Sequence, residues 1–173
     1  MKILFFIFLV GILFIGCNSG STINPNPNNN LVCNEYWPQV AFSDFCSMDL
    51  SMFDLEGDQD SCHADSNDDL PFDELIYISV YNGYTAESSR EDYDDDKDFY
   101  DSDPNFMEIS DLGDAAFATI KIQFGKLDDT YISILKGVYT IRIEINSDGS
   151  NGANDCITTD TVIDFAKAII APL

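Results

Sequence analysis

The sequence predicts an α+β domain, an antiparallel β-sheet packed by helices, behind an N-terminal leader and a disordered tether. Three observations carry that expectation. Residues 116–124, 131–135 and 138–145 alternate apolar and polar side chains, the period of half-buried strands. Turn chemistry at Gly125 to Asp129 and at Lys136-Gly137 separates them, so they read as a three-strand antiparallel meander in the C-terminal half. Val162, Ile163, Ala166, Ile169 and Ile170 instead recur at helical spacing, which lays a closing helix across the sheet.

The chain opens with Met1 and Lys2, followed by an apolar run from Ile3 to Ile15. That run is too short to cross a bilayer core of ~30 Å as a helix. A short basic start, a short apolar stretch and small residues beyond it make residues 1–16 a secretory signal peptide. Phe14-Ile15-Gly16-Cys17 resembles the bacterial lipobox, in which a small residue precedes the cysteine that takes the lipid. Phe14 stands where leucine is usual. The resemblance makes Cys17 the lipidation site, and several acyl chains, at roughly 0.8 kcal/mol per buried methylene, hold far more firmly than one. Residues 17–30 then form a lipidated cysteine and a flexible Asn/Pro-rich tether with too little apolar surface to order itself. The expected location is the bacterial cell envelope, anchored to a membrane and facing the periplasm or the cell surface. Residues 31–173 remain as a single domain, ample for a core.

Export predicts oxidised cysteines. With Cys17 assigned to lipid, Cys33, Cys46, Cys62 and Cys156 remain, and four cysteines allow three pairings. Spacing alone does not choose among them. The expected arrangement is Cys46–Cys62 as a local staple, with Cys33–Cys156 fastening the start of the domain near its last helix. Closing a loop of about fifteen residues is worth ~3 kcal/mol in the chain-entropy account. A zinc site would need close-spaced cysteine pairs, and none occur.

Without Lys2 the chain carries 31 acidic against 7 basic residues, a formal charge of −24. Nucleic acid and anionic lipid surfaces would be repelled. Cations and basic partners would not.

Earlier elements are less regular. Tyr36-Trp37-Pro38, Val40, Ala41, Phe42 and Phe45 are apolar enough to pack, and Pro38 suits the first turn of a short helix. Asp54 to Glu74 carries nine acidic residues and no Lys or Arg, and reads mostly as exposed loop. Leu75 to Tyr81 is a strand with Ile76, Ile78 and Val80 on one face, and Asn82-Gly83 ends it. Thr85 offers a cap to an acidic helix over Ala86 to Phe99, whose inward contacts are expected from Ala86, Tyr93 and the Phe99-Tyr100 pair. Asp101 to Pro104 stops it. Asn146 to Asp155 is a polar loop, and Thr158, Thr159 or Asp160 caps the final helix.

Ile109-Ser110-Asp111-Leu112-Gly113-Asp114-Ala115-Ala116-Phe117 resembles the "GLGD-A-(F/Y)" turn of a group of secreted bacterial lipoproteins of unknown function. In that group a strand pair with a Lys-Gly turn and an Ala-rich closing helix follow, similar to Lys136-Gly137 and the last helix here. Cys46 and Cys62 resemble its two cysteines around a variable loop. The resemblance covers about two-thirds of the domain and implies a PsbP-like α/β/α sandwich. Asp111 stands where the group has Gly, and the Trp frequent after Phe117 is missing. The group offers no catalytic residue to carry over.

Chemistry-bearing constellations are sparse. Asp92 to Asp103 concentrates carboxylates, and Asp94, Asp96 and Asp98 have the alternate spacing of a calcium loop, for hard cations take six to eight oxygens. Phe99 occupies the place where an EF-hand needs Gly. Asp54 to Asp60 misplaces its Gly too, and Asn146 to Asn151 lacks a closing Glu. His63, the single histidine, reads as a loop residue beside Cys62. There is no Gly-x-Ser-x-Gly elbow and no phosphate-cradling loop. Among 22 aromatics, Tyr84 and Tyr100 are the ones expected at the surface.

The sequence therefore points to a membrane-anchored envelope protein without enzymatic activity or cofactor, a binding or accessory module that holds an envelope protein or other envelope ligand near the membrane, with weak divalent-cation binding at the acidic run. The alternatives are an acidic Ca²⁺-binding lipoprotein and, last, a carboxylate hydrolase. Protein purified from expressing cells should have an intact mass that includes acyl chains on Cys17 and lacks residues 1–16. Cys17→Ser should move it from the membrane fraction to the soluble one, and an unmodified, freely diffusing species would remove the anchor.

Overall fold

Two runs of strands, one from each half of the chain, meet in the middle of one sheet. The computed structural model describes residues 30–70, 74–146 and 155–173. The leader, Cys17, the tether to residue 29 and most of the polar loop after Asn146 lie outside the described residues. β1 (Phe53–Gly57), β2 (Ser61–Ser66) and β3 (Leu75–Asn82) form the first meander. β4 (Phe106–Glu108), β5 (Ala115–Gln123), β6 (Lys126–Lys136) and β7 (Tyr139–Asn146) form the second. The seven strands run in the order β1-β2-β3-β7-β6-β5-β4, antiparallel at each junction. Three α-helices complete the α+β fold: α1 (Cys33–Tyr36), α2 (Ala86–Tyr100) and α3 (Thr159–Ile170). No helix among the described residues is long and apolar enough to cross a membrane.

Strand period divides the sheet into two unlike faces. One presents Ile76, Ile78 and Val80 of β3, Ile141, Ile143 and Ile145 of β7, Ile132 and Ile134 of β6, and Ala116 and Ala118 of β5, all buried. Each such Ile contributes about 1.5–3 kcal/mol by leaving water. Against this face lie α3 and the N-terminal segment. Thr158 caps α3, its Oγ1 accepting from Thr161 N–H at 3.2 Å while Thr161 Oγ1 accepts from Thr158 N–H at 2.9 Å. Val162, Ala166, Ile169 and Ile170 face inward as the spacing predicts, but Ile163 is only half-buried. Phe165 takes its place because Phe45 stacks on its ring at 4.3 Å.

The other face is polar and aromatic, and α2 covers part of it. Thr85 caps α2 as expected, accepting from Ser88 N–H at 3.1 Å. Its buried residues are Ser89 and Tyr93, while Ala86 and Phe99 are exposed rather than inward. Tyr100 stacks on Tyr131 at 4.3 Å, so it is not the surface residue the sequence suggests. Tyr84 is half-buried too, its hydroxyl donating to Asp60.

The acidic stretch after Asp54 is not mostly loop. Phe53, Leu55 and Gly57 alternate with Asp54 and Glu56, and Cys62 and Ala64 alternate with His63 and Asp65, so the carboxylates point outward from a hairpin. Burial alternates in β2, where Cys62 and Ala64 are buried and Asp65 is exposed, while in the edge strand β1 only Phe53 is buried. Asp58 Oδ1 closes that hairpin by accepting from Asp60 and Ser61 N–H at 2.8 and 3.1 Å. β4 is a short edge strand with too few residues to show a period. β6 begins at Lys126 instead of Tyr131, because the turn before it is only Phe124-Gly125. Ile122 and Phe124, read as inward, are therefore carried past the core into solvent.

The Leu112-Gly113-Asp114 turn and the Lys136-Gly137 turn form one structure. Gly113 has φ +65°, and a Cβ there would stand 2.4 Å from Leu135 O, so only Gly fits. Asp114 N–H donates to Leu135 O at 2.7 Å, and its carboxylate accepts from Gly137 N–H at 2.7 Å.

Both disulfides form, with the partners exchanged relative to expectation: Cys33–Cys62 and Cys46–Cys156. The expected local Cys46–Cys62 staple does not form, because register sets the partners. Cys62 faces the apolar side of β2 opposite Gly57, where α1 brings Cys33 against the strand. Cys46 follows Phe45, whose stacking on Phe165 carries it to the start of α3. The bridges span 29 and 110 residues. On chain entropy the longer one is worth ~4.8 kcal/mol and the shorter ~3.6 kcal/mol. Cys46→Ala/Cys156→Ala should therefore lower urea stability more than Cys33→Ala/Cys62→Ala. Non-reducing peptide mapping that recovers a Cys46–Cys62 peptide would contradict this pairing.

Candidate binding face

Asp92, Asp96, Arg142, Tyr131 and Ser133 build the half of the polar face beneath α2. Arg142 occupies an outward position of β7, opposite Ser133 and Ser79 on the neighbouring strands. Its Nε donates to Asp96 Oδ2 at 2.6 Å and its Nη2 to Asp92 Oδ1 at 2.8 Å. Asp96 Oδ2 also accepts from Tyr131 Oη at 2.9 Å and Ser133 Oγ at 3.1 Å. Burial alone would lower the Arg142 pKa, but the hydrogen bonds and charges of the two carboxylates raise it above its ordinary value. Burial first, then the Asp96 charge, pushes the Tyr131 phenol well above its usual range. These groups clamp an acidic helix onto a sheet. They leave no cation free for an anionic ligand.

Beyond the helix lies the other half, on β1, β2 and β3. His63 is a strand residue, not the loop residue expected. Its Nδ1 lies 2.8 Å from Tyr77 Oη and its Nε2 3.0 Å from Ser61 Oγ, with the His63 and Tyr77 rings nearly parallel at 5.9 Å. Burial, and next the neighbouring Asp65, raises the Tyr77 pKa. Register sets Glu56 opposite His63, Asp65 opposite Tyr77, and Glu144 on the other flank of Tyr77. Tyr81 completes the row, and Asp54, Glu56 and Asp65 are exposed. Asp54 also joins Asp68 and Asp69 in a cleft of about 400 Å³. Residues 53 to 82 contain no Lys or Arg. Among the described residues no helix packs over this half, so rings and carboxylates meet solvent together.

Ser61, His63 and Tyr77 stand in the order of a nucleophile, a base and an orienting group. A neutral phenol does not stabilise an imidazolium as a carboxylate does, and the three lie on an open strand surface. The main cavities among the described residues have other linings. One, about 620 Å³, lies where Leu31 enters the domain, between Tyr36, Tyr139 and Leu173. Its Asp114 carboxylate is already bound to Gly137 N–H.

Asp94, Asp96 and Asp98, the expected cation ligands, are not brought together. Successive alternate residues on a helix point about 200° apart. Asp94 pairs with Arg90 at 3.5 Å, Asp96 turns to Arg142, and Asp98 is exposed. Among the described residues no three His, Cys, Asp or Glu side chains form a metal-holding group. The strand period places Arg142 away from the core, but its clamp on Asp92 and Asp96 is not in the local pattern. Nor is the His63–Tyr77 contact, because it joins strands whose register only folding sets.

The chain matches no protein-family model, no curated protein and no solved structure.

Removing one partner of a half-buried network of charged hydrogen bonds costs about 1.5–3 kcal/mol. Arg142→Met should lose stability on that scale in urea unfolding. Adding Asp92→Leu and Asp96→Leu to the same variant should restore much of it. A single variant as stable as the parent would mean that α2 docks without the clamp.

Proposed function

We propose that this chain is a lipid-anchored protein of the bacterial cell envelope that binds rather than catalyses. Its open sheet half takes a cationic segment of an envelope protein. The observation that carries the reading is the row of His63, Tyr77 and Tyr81 beside Asp54, Glu56, Asp65 and Glu144, with no Lys or Arg on β1, β2 or β3 and the neighbouring Arg142 already held by Asp92 and Asp96. Tyrosine offers a stiff, amphipathic contact, and its ring face attracts Lys and Arg. The carboxylates add long-range steering toward a basic partner. The leader and Cys17 support a place at a membrane surface, and two disulfides suit an oxidising compartment. The GLGD-like turn supports kinship with secreted lipoproteins of PsbP-like fold. A dedicated Ca²⁺ site and hydrolysis have less support, since the acids of α2 diverge and the Ser61–His63–Tyr77 row lies on an open surface.

A short Arg/Gly-repeat peptide should bind the full chain at low salt and release as salt rises. Glu56→Gln with Asp65→Asn should weaken binding about tenfold, close to 1.4 kcal/mol. Asp94→Asn with Asp95→Asn, on the far side of α2, should leave it nearly unchanged. Equal weakening by both pairs would reduce the effect to net charge and sink the reading.

A further inference from the structure

β1 lies at one edge of the sheet and β4, of only three residues, at the other. Asp58 N–H donates to Ser61 O and Asn67 N–H to Met52 O, each at 2.9 Å, at the two ends of the β1–β2 pairing. Bonded and unbonded pairs alternate along an antiparallel ladder. Asp54 and Glu56 therefore bond to Asp65 and His63 on β2. Phe53, Leu55 and Gly57 turn their backbone groups the other way, toward the open edge. Leu50 O already accepts from the Phe53 N–H. Among the described residues no strand meets the Leu55 and Gly57 groups, and Leu55 is 43% exposed. A row of unpaired main-chain donors and acceptors is a template for another strand.

The two sides of that edge differ in chemistry. Leu55 stands opposite buried Ala64 and so belongs to the apolar face. Between β1 and the N-terminal segment, Leu55, Leu31, Val32 and Trp37 line a cavity of about 480 Å³ beside the Cys33–Cys62 bridge. Val32, like Leu55, is exposed, so the cavity opens to solvent. Asp54 and Glu56 are exposed on the polar face, and no Lys or Arg occurs between residues 53 and 82. An added strand would therefore meet an apolar notch with every second side chain and carboxylates with the others.

We propose that β1 takes a partner segment as an added antiparallel strand, and that the segment alternates apolar residues with Lys or Arg. Its apolar side chains enter the cavity beside Leu55, and its basic ones lie against Asp54 and Glu56. Main-chain bonds to Leu55 and Gly57 give affinity, and the two sets of side chains give specificity. The inference rests on the cationic-segment reading and assigns that segment an extended backbone with a period of two. A second copy of this chain is a poor occupant. Two β1 strands paired antiparallel about Leu55 would set Asp54 against Glu56, and like charges directly opposite are unfavourable. The carboxylates that resist self-pairing accept a basic strand.

The test uses the full chain, the Arg/Gly peptide, a labelled peptide of alternating Val and Lys, and its block isomer of the same composition. The alternating peptide should bind about tenfold more tightly than the block isomer. In an antiparallel pairing its valines, opposite Leu55, exchange the main-chain bonds with β1. N-methylation at Val should therefore weaken binding at least tenfold, whereas N-methylation at Lys should leave it nearly unchanged. Leu55→Thr, which keeps a good strand former at an exposed position, should also weaken the alternating peptide. Failure of both the Arg/Gly and the alternating peptide to bind would remove the cationic-segment reading and this inference with it. Arg/Gly binding without any preference for alternation would remove this inference alone. It falls equally if the Val-methylated peptide binds as the unmethylated one does, or if the chain sediments as a dimer that Leu55→Thr dissolves.

Discussion

Ile76, Ile78 and Val80 of β3 register against Ile145, Ile143 and Ile141 of β7, and this contact makes one sheet from two halves of the chain. Everything functional hangs from it. Without that pairing the first meander would lose its inner neighbour, and neither α3 nor the N-terminal segment would have a continuous apolar face to cover. The contact joins residues some sixty positions apart, so its loop-closure entropy must be met by long-range burial. The two disulfides relieve part of that demand. Each ties the N-terminal segment to a different part of the core, one to β2 and one to the start of α3.

The same register divides the molecule chemically. On one face branched aliphatic side chains interlock, and the helices over them are held by dry packing such as the Phe45–Phe165 stack. On the other face the second layer is an acidic helix with little apolar surface to bury. Tyr93 and Tyr100 bury their rings against Phe117 and Tyr131, and Arg142 adds charge-assisted hydrogen bonds to Asp92 and Asp96. Of these rings, only Tyr131 also touches the clamp, its hydroxyl donating to Asp96. Because α2 covers β6 and β7, the rings and carboxylates of β2 and β3 stay in solvent. The open half follows from where the clamp sits.

Acidity also has a local meaning. Between Asp54 and Asp65 the carboxylates occupy alternate, outward positions, so they cost the fold little and shape its outer surface. In α2 the acids divide by helical angle, Asp92 and Asp96 toward Arg142, and Asp95 and Asp98 into solvent. One residue type thus serves as internal clamp and as external field.

Much was legible in the residues themselves. Period two in 116–124 and 138–145, period 3.6 in 162–170 and the Thr85 and Thr158 caps are local signals, and each rests on geometry within a few residues. The acid-rich hairpin of β1 and β2 carried its alternation too, masked by a composition that suggests loop. Cysteine partnership, the inward turn of Phe165 in place of Ile163, the exposure of Phe124 and the meeting of His63 with Tyr77 were not in the local pattern. They depend on which strands become neighbours and in what register, and that is decided by burying distant apolar faces together. Local chemistry determined the elements, and only the tertiary pairing decided which side chains face one another and which face the solvent.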